Sequence, residues 1–78
     1  MEYEKIEEIL SKLKKEIACL NNDLCNLYGL VKKIENKQFV SYSMWCLEFL
    51  AKYIHEIHSC CLFIERLIKD LNKETNNG

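Results

Sequence analysis

The sequence predicts an all-α protein, a hairpin of two long antiparallel helices. Hydrophobic residues make up 49% of the 78 residues, which excludes a disordered polar chain. Proline is absent and glycine occurs twice, so the residues that usually mark turns are almost missing. Two stretches carry apolar residues at alternating steps of three and four, the spacing of an amphipathic helix. We expect one domain over residues 1–78, with helices at about 2–35 and 38–73 and a polar tail at 74–78.

The first helix carries a heptad pattern, abcdefg, in which positions a and d are apolar from residue 3 to residue 34 when Leu10 is placed at a. The weak helix formers Asn21, Asn22 and Asp23 interrupt neither the pattern nor its phase, which favours one unbroken helix. The alternative is a new helix capped by Asn22. The side chains of this helix expected in a core or an interface are Leu10, Leu13, Ile17, Leu20, Leu24, Leu27 and Val31.

The second helix has an apolar face that is wider than one partner helix can cover. An inner stripe with a and d spacing is flanked by a second apolar row that begins at Cys46. The side chains expected in a core or an interface are Leu47, Phe49, Leu50, Tyr53, Ile54, Ile57, Cys60, Cys61, Phe63, Ile64 and Leu67. Because a single hairpin would leave part of this face in water, we expect a homodimer that forms an up-down four-helix bundle.

The segment Asn36–Gln38 is the plausible turn. Asn36 either caps the second helix or takes the left-handed conformation that closes the first. A connection this short makes the two helices antiparallel neighbours.

Charge and cysteine usage limit the partners and the compartment. The formal net charge of -1 provides no basic field for nucleic acid or for a membrane surface. Five cysteines, an odd number, argue against a secreted disulfide scaffold. No signal peptide opens the chain, and the longest uncharged run of the second helix, residues 38–47, is too short to cross a membrane. We expect a cytoplasmic protein.

A metal site is superficially suggested by His55 and His58, with Glu56, Cys60 and Cys61 nearby. Structural zinc needs four converging ligands, and the two thiols fall on the apolar face of the helix. No feature of the sequence arranges a reactive thiol beside a base. We therefore predict no metal, no cofactor and no catalytic residue.

A motif-sized resemblance covers residues 53–68, YIHEIHSCCLFIERLI. This stretch resembles the second-helix signature of HepT-like proteins, which belong to the HEPN group of helical-bundle ribonuclease toxins. The positions that match are Tyr53, His55, Ser59, Ile64 and Ile68, and Glu56 stands at an acidic or amide position. The departures are His58, Cys60, Leu62 and Glu65, where the family has an aromatic, a glycine, a glutamate and an aromatic.

The resemblance implies the first half of a HepT-like domain. Family members continue into further helices, where an arginine followed four to six residues later by histidine forms the nuclease motif. Here the single arginine, Arg66, follows both histidines, so the motif is absent. The expected function is a non-catalytic, self-associating helical module, a truncated or short HepT-like toxin component. The resemblance also implies a nucleotidyltransferase-type antitoxin as a partner.

Two alternatives stay open. One is a divergent HEPN-type ribonuclease that uses Arg66, His55 and His58 across a dimer interface, with histidines for acid–base chemistry and a cation for the phosphate. The other is a plain coiled-coil scaffold that is unrelated to the family.

Overall fold

The protein is a hairpin of two α-helices. A computed structural model describes the backbone of residues 2–77 and the side chains of residues 2–73. Helix α1 spans Glu2–Val31 and helix α2 spans Lys37–Asn77, and the described residues include no strand. The predicted all-α hairpin is confirmed. The helix α1 runs unbroken through Asn22, so the alternative of a new helix at that residue is wrong.

The C-terminal ends of both helices differ from the predicted ones. Helix α1 stops at Val31, before the predicted end at Glu35, and its last turn tightens. There the amides of Lys33 and Ile34 each donate to a carbonyl three residues earlier, at 3.1 Å. Ile34 keeps the heptad pattern but lies in the connection, because the chain must turn back before α2 can begin. Helix α2 runs to Asn77, through most of the predicted polar tail, because no proline or glycine stops it before Gly78, which lies outside the described residues.

The connection between the helices ends in a cap provided by Asn36. Its side-chain Oδ1 accepts a hydrogen bond from the backbone amide of Phe39 at 3.0 Å. Its carbonyl accepts the first helical bond, from the amide of Val40, also at 3.0 Å. Among the described residues no φ is positive, so of the two predicted roles Asn36 takes the cap and not the left-handed closure.

The core of the hairpin is narrow, because each helix contributes at most one buried side chain per heptad. Side chains at most a positions are buried; Leu24 packs against them while partly exposed, and Tyr3 at the open end is exposed. The buried side chains are Leu10, Ile17, Val31, Leu47, Ile54, Cys61 and Ile68. Lys14 contacts Glu65 across the two helices, and Leu20 and Ile57 line one groove between them. The result is a rod of 63 × 16 × 13 Å.

Candidate interaction surface

The hairpin leaves the apolar side chains at the d positions exposed to solvent. Side chains at the d positions of both helices are 39–52% exposed and point to the same side of the rod. We call this surface the d-face; its residues are Ile6, Leu13, Leu20, Leu27, Leu50, Ile57, Ile64 and Leu71. The a and d positions are equally apolar in sequence. In the structure one hairpin buries side chains of the a set and leaves those of the d set exposed.

A groove of about 330 Å³ runs along the middle of the d-face between the two helices. Asp23 is the one charged side chain among the residues that line it. The apolar lining residues are Leu20, Leu24, Leu27, Leu50, Tyr53, Ile54 and Ile57. A groove with such a lining offers van der Waals contact and almost no hydrogen bonding, which suits another apolar side chain better than a polar substrate.

Each helix carries a flank row beside the d-face, and the two rows differ. The flank row of α2 is apolar and exposed: Cys46, Phe49, Tyr53, Cys60, Phe63 and Leu67. Within it the ring of Phe49 lies 4.9 Å from that of Tyr53, edge to face, and 5.9 Å from that of Trp45. The flank row of α1 is apolar at its two ends and acidic between them: Ile9, Glu16, Asp23 and Leu30.

The opposite side of the rod carries polar side chains beside a largely apolar pocket that is lined by Leu24, Tyr28 and Leu47 among others. There the ammonium of Lys14 lies 2.9 Å from Oε1 of Glu65 and donates a hydrogen bond to Oε2 at 3.1 Å. His55 and His58 line a shallow pocket on this side together with Lys14 and Asn21. Sequence reasoning missed the ion pair, although an antiparallel register would have placed these opposite charges at one level. The ion pair and the two histidines distinguish this side of the rod from the d-face.

The residues considered for chemistry do not converge on one point. Arg66 is not among the side chains that line the pocket of His55 and His58. The buried thiol, Cys61, packs in the core, and the other four free cysteines are exposed. Among the described residues, no three His, Cys, Asp or Glu side chains are grouped closely enough to hold a metal ion.

The six positions of the family-like motif are likewise spread around α2. Tyr53 lines the groove of the d-face, Ile64 belongs to the d-face and Ile68 lies in the core. His55 lines the polar pocket, whereas Glu56 and Ser59 are exposed. The motif therefore does not gather on one face of α2.

Neither helix of the described chain combines the length and the apolar character that crossing a bilayer requires. In comparisons with known proteins, no protein-family model, curated protein or solved structure matches this chain. The resemblance to HepT-like proteins therefore stays a prediction that depends on the residues of α2.

Proposed function

We propose that this chain is a non-catalytic helical interaction module whose partner is a second copy of itself. Two hairpins pack d-face to d-face and form a four-helix bundle. The observation that carries the proposal is the heptad pattern: both helices are apolar at a and d, and every buried side chain among the described residues lies at an a position, whereas the d positions are exposed. Exposed contiguous apolar surfaces of this kind mark protein interfaces.

The amount of exposed surface supports the proposal. The chain exposes 6796 Å², whereas a compact monomer of its mass exposes about 5,000 Å². Its radius of gyration is 18.1 Å, against about 11.5 Å for a compact domain of 78 residues. An excess of about 1,800 Å² per chain is within the range that each subunit of an obligate homodimer buries.

The family resemblance fits the same proposal. In HepT-like proteins later helices complete the bundle, and here a second hairpin would take their place against the d-face. We propose on this basis a short HepT-like component of the cytoplasm, whose surface outside the dimer interface is available to a nucleotidyltransferase-type antitoxin. A dimer formed through the d-face leaves His55 and His58 on the outer side, so it does not favour the ribonuclease alternative.

Two matched leucines test the proposal. Leu50 is 47% exposed on the d-face, and Leu62 is 46% exposed elsewhere on α2. Leu50→Glu places a carboxylate in the interface of each copy, so we expect the dimer to weaken about a hundredfold or more. Leu62→Glu should leave the dimer intact. Sedimentation equilibrium at micromolar concentration measures both.

A wild-type chain that sediments as a monomer at that concentration would refute the proposal. Equal weakening by the two substitutions would show that association does not use the d-face. Helical circular dichroism of each variant reports whether the hairpin itself has been lost.

A further inference from the structure

We infer that the two hairpins pair with their connections at opposite ends of the bundle, so that α2 lies against the partner's α2 and α1 against the partner's α1. The two-fold axis crosses the bundle at the level of Leu20 and Ile57. The inference depends on the dimer proposed above and specifies its geometry. Two-fold symmetry allows one other face-to-face arrangement, with both connections at one end and α1 against the partner's α2.

The flank row of α2 has the symmetry that antiparallel self-pairing requires. When a helix packs against an antiparallel copy, residues equally far from the axis on either side meet. About the midpoint between Glu56 and Ile57, Tyr53 is matched by Cys60 and Cys46 by Leu67, and all four are exposed. Phe49 and Phe63 lie at nearly equal distances on the two sides, 49% and 59% exposed. Every apolar side chain of the row thus meets an apolar one.

The flank row of α1 is symmetric about the same level. Ile9 and Leu30, each 61% exposed, are equally far from a point between residues 19 and 20. On the d-face, Leu13 and Leu27 are equally far from Leu20. Leu20 and Ile57 line one groove, and the contact between Lys14 and Glu65 sets Leu20 level with Ser59, so the centres of symmetry of the two helices lie within about one helical turn of each other. A single axis therefore matches both rows.

The other arrangement mismatches the rows. It would set Glu16 and Asp23 of α1 against the aromatic and thiol side chains of the partner's α2, where carboxylates lose water. With the connections at opposite ends, the apolar row of α2 meets itself. Glu16 then lies near the partner's Asp23 at the edge of the bundle, where water screens the repulsion.

Native cysteines test the arrangement. Cys60 lies three residues from the level of the axis, so two copies are offset by about 9 Å along the bundle, within reach of a flexible bis-maleimide. We expect a cross-link between Cys60 and the partner's Cys60 in the wild-type dimer. It should vanish in Cys60→Ser and persist in Cys19→Ser and Cys25→Ser. Peptide mapping of the digested adduct identifies the linked thiols.

Other cross-linking results would overturn the inference in distinguishable ways. If the turns share one end, Cys60 faces the partner's α1, where Cys19 is the exposed thiol nearest its level. A link between Cys60 and the partner's Cys19 would thus refute the arrangement and keep the dimer. A dimer without the Cys60 link would also refute the arrangement. A monomer without any link would refute the dimer as well.

A charge substitution gives a second measurement of the same geometry. Asp23→Asn removes one member of each like-charged pair formed by Glu16 and the partner's Asp23, so the dimer should tighten about two- to fivefold. Glu8→Gln, at an exposed position away from the interface, is the control and should change nothing. In the other arrangement Asp23 does not meet the partner's Glu16, so a dimer that is unchanged or weaker in Asp23→Asn would contradict the inference.

Discussion

At the scale of single residues, stability is concentrated in the buried a positions. Ile17 is 9% exposed and belongs to the cluster that joins the helices. Ile17→Ala should lower the free energy of unfolding by about 2–4 kcal/mol, because it removes buried methyl groups and leaves a cavity. Urea unfolding at one fixed protein concentration measures the loss.

The matched control for Ile17 is two residues away. Cys19 is exposed, and Cys19→Ala should change the free energy of unfolding by less than about 0.5 kcal/mol. If both variants unfold at the same urea concentration, the a positions are not the core.

The ion pair of Lys14 and Glu65 contributes to register more than to stability. The two side chains are 34% and 27% exposed, and pairs in contact with water contribute about 0–1 kcal/mol. Opposite charges 51 positions apart nevertheless distinguish this register from one shifted by a heptad.

At the scale of the helix, Gly29 is a local weakness of α1. A Cβ built there meets nothing within 4 Å, and its φ is not positive. Gly29→Ala should therefore stabilise the protein by about 0.5–1 kcal/mol, because alanine loses less backbone entropy in a helix. Thermal unfolding followed by circular dichroism measures the gain. An unchanged or lower midpoint would show that the end of α1 requires glycine.

The helices themselves could be predicted from sequence, but their ends could not. Heptad spacing reports which face is apolar, and Ile34 keeps that spacing although it lies in the connection. Asn36 was expected to take one of two roles, and the structure selects the cap because its side chain reaches the amide of Phe39.

The candidate surface was predictable in part. The sequence indicated an apolar face wider than one partner could cover. It did not indicate which half the hairpin would use, because Leu10 and Leu13, at a and d, are the same residue type. That division depends on how the helices are rotated about their axes, which pattern alone does not specify.

At the scale of the whole molecule, folding and association should be one equilibrium. A single hairpin with a core one residue wide has little to offset the conformational entropy of 78 residues. We expect the midpoint of thermal unfolding to rise with protein concentration, because the dimer stabilises the folded chain by mass action. At a given protein concentration Leu50→Glu should lower the midpoint, because it weakens the dimer, and Leu62→Glu should not. A wild-type midpoint that is independent of concentration would contradict the coupling.

The antiparallel register also determines the order in which the chain can close. Near the connection, Val31 and Leu47 are 16 positions apart in the sequence, whereas Leu10 and Ile68 at the open end are 58 positions apart. Each pair of a-position contacts that forms shortens the loop that the next pair must close. We therefore expect the contacts between the helices to form first near the connection and last at the termini. During synthesis the contacts near the connection can therefore form early, whereas those between Leu10 and Ile68 can form only after Ile68 has left the ribosome.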